Sequence, residues 1–95
     1  MRFDLTPKAE EDLVDIQVDG INHFGVRQAR QYRNELLDCF GVLASQPKMA
    51  RLRTEFHPPL RAHFHRSHVV TYVEIDGGIL ILRIFHARQD WPNLL

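Results

Sequence analysis

The hydrophobic pattern of this chain changes period once, around Pro47, and that switch limits the fold more than any other feature. Before it, apolar residues recur at steps of three and four; beyond Pro59 they recur at steps of two. Steps of three and four line one stripe of an α-helix, and steps of two line one face of a β-strand. The clearest helical run is Val26, Ala29, Tyr32 or Arg33, Leu36, Leu37, Phe40, Leu43 and Ala44. It ends before Pro47, whose ring cannot continue a helix and drives Gln46 towards an extended backbone. An earlier stripe of Ala9, Leu13, Ile16 and Gly20 begins just after Thr6-Pro7. A threonine hydroxyl caps free N–H groups there, and proline suits the first helical position. Glu10, Glu11 and Asp12 add negative charge at the positive end of the helix dipole. Asn22 with Gly20 and Gly25 is expected to fray this helix from Gly20 onward. Two helices joined so closely should form an antiparallel hairpin.

Arg2–Leu5 reads as a short strand, and Lys48–Pro59 as a polar, basic linker. Leu60, Ala62 and Phe64 alternate with Arg61, His63 and His65, which predicts a strand with one buried and one cationic face. Val69–Ile75 is β-branched and aromatic, and Ile79–Phe85 is nearly all apolar, as for a central strand covered on both faces. Asp76-Gly77 is a type I′ hairpin signal, and Arg66-Ser67-His68 a second tight turn. The tail is expected to end in one helical turn after Asp90. The expected architecture is α+β in a single domain over residues 1–95. It has an N-terminal strand and an antiparallel two-helix hairpin packed on an antiparallel sheet that ends in a three-strand meander.

Ninety-five residues leave no room for a second core. One cysteine, Cys39, excludes an internal disulfide and is expected to be buried rather than reactive. Ile79–Leu82 is far too short to span a bilayer, and Met1–Leu5 enters a structured pattern instead of a secretion leader. A cytoplasmic location without a membrane partner is expected. The zero net charge hides an asymmetry. Residues 1–46 hold five Lys/Arg against eight Asp/Glu, whereas residues 47–95 hold seven against four and five of the six histidines. Two faces with different partners, or chance imbalance in a small domain, both fit that split.

Five segments carry a resemblance. Leu5-Thr6-Pro7-Lys8-Ala9-Glu10-Glu11-Asp12-Leu13-Val14-Asp15-Ile16 resembles the first helix of ParE-type toxins of the RelE/ParE superfamily. Phe24-Gly25, Gln28-Ala29 and Tyr32 are similar to that family's entry into its second helix. Leu60-Arg61, His68-Val69-Val70-Thr71-Tyr72 and Ile81-Leu82-Arg83-Ile84-Phe85-His86-Ala87-Arg88-Gln89-Asp90-Trp91 complete the likeness over nearly the whole chain. The resemblance implies a RelE/ParE-like fold and the toxin of a type II toxin–antitoxin system. It implies neutralisation by a ParD-like ribbon-helix-helix antitoxin, through which alone DNA is contacted, and inhibition of DNA gyrase by direct binding. The RelE branch of the superfamily implies a different activity, ribosome-dependent cleavage of messenger RNA, and fold alone does not separate the two.

RNA cleavage needs a base for the 2′-hydroxyl, cations for the phosphate and an acid for the leaving oxygen. His86, Arg83 and Arg61 are the candidates for such a site, with Arg66, Arg88, His63 and His65 near them in the pattern. The competing reading is that Arg61, Arg66, Arg83, His86, Arg88 and Trp91 form a surface that engages the target or the antitoxin. Trp91 stacks but transfers no proton. His63, His65 and His86 lack the cysteine or carboxylate company and the spacing of a metal site, so no metal and no other cofactor is expected. Gly77-Gly78 is a turn and not a phosphate loop. Tyr72 is expected in the core. A sequence pI near 7 argues against direct nucleic-acid binding.

Overall fold

The computed structural model describes residues 2–95. Strand β1 (Arg2–Leu5) leads into helix α1 (Pro7–Phe24) and helix α2 (Val26–Ser45), followed by a 3₁₀ turn (Pro47–Met49). Strands β2 (Leu52–Arg53), β3 (Leu60–His65), β4 (His68–Ile75) and β5 (Gly78–His86) come next, and a second 3₁₀ turn (Trp91–Asn93) closes the chain. The five strands lie in the order β1-β5-β4-β3-β2. The meander β3-β4-β5 is antiparallel as expected, while β1 runs parallel to β5, with Phe3 opposite Ile79 and Leu5 opposite Ile81. The connection back to the sheet is the helix hairpin itself, long enough to make a parallel neighbour possible.

Helix α1 starts where the sequence says. Thr6 Oγ1 accepts the Ala9 N–H at 3.0 Å and donates to the Leu82 carbonyl at 2.7 Å, so one hydroxyl caps the helix and ties it to β5. The expected fraying at Gly20 does not occur, and the helix continues to Phe24. Gly20 serves packing: a Cβ there would sit 3.2 Å from the Ala29 Cβ, so the glycine lets the helices approach closely. The break falls instead at Gly25, whose φ of 89° favours glycine.

The main core lies between the hairpin and one face of the sheet. Leu36, Phe40, Leu43 and Ala44 of α2 meet Val70, Tyr72, Ile79, Ile81 and Ile84, with Phe3, Leu13 and Ile16 packed around them. Each large apolar side chain buried here stabilises the fold by roughly 1.5–3 kcal/mol. Tyr72 is in this core, as expected, and its hydroxyl donates to the Pro47 carbonyl at 2.8 Å. Cys39 is half-buried, and burial pushes its thiol pKa up, away from reactive thiolate.

A smaller cluster covers the other sheet face: Val69, Phe85 and Trp91, flanked by Phe56, Ala62 and Ala87. It reverses the expected orientation of β3. Arg61 pairs with Tyr72 and His63 with Val70, so the basic residues of β3 share the helix-side face. Ala62 and Phe64 point to the Trp91 side, where Phe64 stays 56% exposed. Alternation separates two faces but does not say which one the helices cover. The segment read as a linker also carries order, a 3₁₀ turn and the two-residue strand β2 paired with Leu60 and Arg61.

Candidate functional site

The register places His68 opposite His86, at the end of the sheet where the β3–β4 turn and the last residues of β5 meet the tip of the helix hairpin. A cleft of about 840 Å³ opens there, lined by α1 from Ile16 to Phe24, by α2 from Arg27 to Glu35, and by Arg66, Ser67, His68 and His86. Tyr32 projects from α2 onto its floor. Its hydroxyl lies 2.6 Å from His68 Nδ1 and 3.4 Å from the His65 carbonyl, and its ring packs on both imidazoles at 5.4 and 6.0 Å. The rings of His68 and His86 meet edge to face at 5.5 Å. His65 Nε2 is buried without a hydrogen-bond partner.

Arg66 holds the turn with φ 53°, a left-handed conformation that costs a side chain with a Cβ on the order of 1–2 kcal/mol. Its guanidinium reaches across to Glu35 of α2, loosely. Nη2 donates to Oε1 at 3.4 Å, and Nε lies 3.3 Å from Oε2 outside hydrogen-bonding geometry.

Burial pushes the His68 pKa down to about 4, with His86 and His65 reinforcing the shift and Asp19 opposing it. Burial raises the Tyr32 pKa, opposed by the nearby Ser67 hydroxyl and by the charge of Arg66. His63 is lowered by burial and by His65. A histidine depressed on folding binds its proton first in the unfolded chain. Stability is therefore full above the ordinary pKa near 6.5 and is lost as pH falls from there towards 4, by on the order of 2–3 kcal/mol. Denaturant unfolding between pH 7 and pH 4 should show this loss. His68→Phe, which keeps a ring between Tyr32 and His86 but cannot titrate, should flatten the slope in that window; an unchanged slope would exclude His68 as its source.

The six side chains singled out in the sequence do not converge. Arg61, on the helix-side face near β2, donates to the Ala50 carbonyl at 2.6 Å and pairs with Glu74 at 3.1 Å. Arg83 sits at a bulge where Leu82 is the extra residue, since Thr71 pairs with Arg83 and Tyr72 with Ile81. Asp12 of α1 accepts Arg83 Nε at 2.7 Å, Arg83 Nη2 at 3.0 Å and the Ile84 N–H at 3.0 Å. That bidentate partner raises the Arg83 pKa, and the guanidinium rests 4.6 Å from the Phe85 ring centre. Thr71, fully buried, donates to the Arg83 carbonyl and accepts its N–H, both at 3.1 Å. Trp91 is on the opposite face, stacked with Phe56 and Phe85 at 5.8 and 6.4 Å, with the Arg53 guanidinium 5.3 Å from its ring. Only Arg66, His86 and Arg88 belong to the turn-and-tail end, where the Arg88 N–H donates to His86 Nδ1 at 3.1 Å.

Sequence reasoning missed Tyr32, His68, Glu35 and Asp12. Tyr32 fitted the helical stripe and read as core; the acid of Asp12 read as a dipole partner only. Among the described residues no group of three or more His, Cys, Asp or Glu is placed to hold a metal ion.

The family described as ParE toxin of type II toxin-antitoxin system, parDE, matches residues 3–91. The chain belongs to the ParE toxin family. It is 33% identical over 90 residues to Toxin ParE1 of Mycobacterium tuberculosis, a match covering 94% of this chain and 92% of that protein. Toxin ParE1 of Caulobacter vibrioides is 28% identical over 88 residues, covering 93% and 91%. Among solved structures, a chain of the chromosomal ParDE TA system from P. aeruginosa superposes with a TM-score of 0.76 at 21% identity, covering 93% of this chain and 97% of that one. Its fold is therefore shared, as the resemblance of the sequence implied. This ParE-type toxin has its bulge, its Asp12–Arg83 clamp and its Trp91 cluster within the matched span.

Proposed function

We propose that this ParE-type toxin acts in the cytoplasm by binding DNA gyrase, not by cutting RNA, and that a ParD-like ribbon-helix-helix antitoxin neutralises it. The observation that carries the contact reading is the dispersal of the would-be catalytic set. Arg61 is committed to Glu74 and Ala50, and Arg83 to Asp12. His86 Nδ1 is occupied by a backbone N–H. General acid–base catalysis needs a proton carrier and cations converging on one phosphate, and here each is held at a different place by its own partner. What stays exposed is suited to recognition: His86 and Arg88 beside the tail, and Phe64 on the Trp91 face.

The test is growth arrest on expression, with transcript integrity followed in the same cells and supercoiling by purified gyrase assayed with the purified toxin. Intact transcripts and inhibited gyrase are expected. His86→Gln should leave inhibition within about tenfold, since a contact residue gives up one or two hydrogen bonds. A nuclease would lose roughly 10²–10⁴-fold with its proton carrier. Transcripts cut in the presence of ribosomes, with cutting abolished in His86→Gln, would overturn the gyrase reading.

A further inference from the structure

Helix α1 carries two apolar stripes, and the fold covers one of them. Ala9, Leu13 and Ile16 pack into the main core, and Gly20 meets Ala29 of α2. Val14, Val18 and Ile21 lie on the side turned away from both and stay 58%, 49% and 38% exposed. Steps of four and three put them in one line, a seam of the kind that helices bury against each other. Apolar residues scattered singly on a surface mean little, whereas a line of them at helical spacing is a surface for a partner.

Charge decides which partner fits. Glu11 and Asp15, one turn apart and exposed, run beside the seam; Asp19 continues their row, and Glu10 precedes Val14 by one turn. Like charges four residues apart on a helix repel, so this row weakens α1. Lys8, the one lysine of the helix, reaches Glu11 only at 4.0 Å, with the two side chains 69% and 67% exposed. Asp12 is turned to Arg83. Among the described residues Glu10, Asp15 and Asp19 have no ion-pair partner. Neither the seam nor Glu11 and Asp15 line the cleft at the hairpin tip. An acidic row and an uncovered apolar line thus share one outer face.

Together they exclude most occupants. A second copy docking by a two-fold contact would bring the same acids face to face. A nucleic-acid backbone or an anionic lipid surface is repelled. A helix packs its ridges into the grooves between rows at four-residue steps, which a strand does not.

We infer that the outer face of α1 docks a cationic amphipathic helix of a partner protein, whose apolar stripe lies along Val14, Val18 and Ile21 and whose Lys or Arg flank faces Glu11 and Asp15. Such a helix covers the seam and neutralises the row in one contact. The seam runs only about 10 Å from Val14 to Ile21, so the contact belongs to the small, transient class. It depends on no assumption about gyrase.

The experiment follows the amide signals of the full ¹⁵N-labelled chain by NMR at pH 7.5 and low salt. Two probes are titrated, both blocked alanine-based helical peptides of about eighteen residues with leucines on one face. One carries lysines along both flanks of that face, and its twin carries glutamates there. The lysine peptide should give saturable shifts centred on Val14, Val18 and Ile21, weakening as salt is raised. The glutamate twin should bind at least about tenfold more weakly, because it sets acid against acid. Val18→Gln should weaken the lysine peptide by about tenfold, and Asp15→Asn by roughly two- to fivefold. Neither variant should melt below the parent, since glutamine suits a helix at least as well as valine and asparagine relieves the repulsion. A lowered melting temperature in either would show that the residue serves the fold and would overturn the inference. So would absence of saturation, equal affinity for the two peptides, shifts centred away from α1, or undiminished binding in Val18→Gln. Dimers of the free chain that are abolished by Val18→Gln would overturn it in favour of a second copy.

Discussion

Asp12→Ala should destabilise the protein more than any other single change of a charged residue, by on the order of 2–4 kcal/mol, because it orphans an arginine and a backbone N–H together. The carboxylate takes two hydrogen bonds from Arg83 and one from Ile84 N–H, at the point where β1 has already ended and the edge of β5 has no strand beside it. Its side chain is 13% exposed and that of Arg83 27%, so water screens the pair only partly. For a domain of this size such a loss lowers the melting temperature by roughly 10–20 °C. Arg83→Met, which keeps the stem over Phe85, should cost less than Asp12→Ala, and the double variant little more than Asp12→Ala alone. Thermal unfolding of the four proteins gives the coupling energy directly; additive losses would show that the clamp is not cooperative. The consequence for function is a warning about toxicity screens. Loss of arrest in an Arg83 variant would report an unfolded toxin before it reports a lost contact with the target.

That clamp also marks how far the sequence could be read. Much that is governed by neighbours within a few residues was legible: the Thr6 cap, the stop before Pro47, the place of the turn at Gly77 and the final turn at Trp91; the turn is not type I′, however, since Gly77 takes a positive φ and Asp76 does not. What failed depended on partners distant in sequence. Tyr32 and His68 are 36 residues apart and Asp12 and Arg83 are 71 apart, and no periodicity encodes such a meeting. The orientation of β3 failed for a different reason. Its apolar set, Leu60, Ala62 and Phe64, looks like a core face because it is one in part, packing towards the small cluster around Trp91. The basic set faces the helices without being fully enclosed by them, since Arg61 reaches a carbonyl and a glutamate at the edge of the sheet. Gly20 misled because a glycine that permits close helix packing looks the same in sequence as one that ends a helix.

Gly78→Ala tests a piece of topology that the sequence did not specify, the parallel seam between β1 and β5. Gly78 is opposite Arg2, and a Cβ built on it would overlap the Arg2 carbonyl oxygen and crowd the backbone behind it. Backbone cannot rotate away as a side chain can, so the seam must open. With it goes the anchorage of Phe3, which meets Phe40 edge-on at 5.5 Å, and of Leu5. The expected cost is about 3 kcal/mol or more, the combined loss of overpacking relief, strand hydrogen bonds and buried apolar area. Two other glycines serve as controls. Gly77→Ala meets no backbone and only has to hold φ at 80°, costing roughly 1–2 kcal/mol. Gly41→Ala, inside α2 with nothing within 4 Å, should stabilise by up to about 1 kcal/mol through helix propensity. Urea unfolding ranks the three, and amide exchange locates the damage: Phe3, Asp4 and Leu5 should lose protection in Gly78→Ala while the β3-β4-β5 meander keeps its own. A Gly78→Ala protein within 0.5 kcal/mol of the parent, with β1 still protected, would mean that the seam tolerates a displacement the close backbone approach forbids.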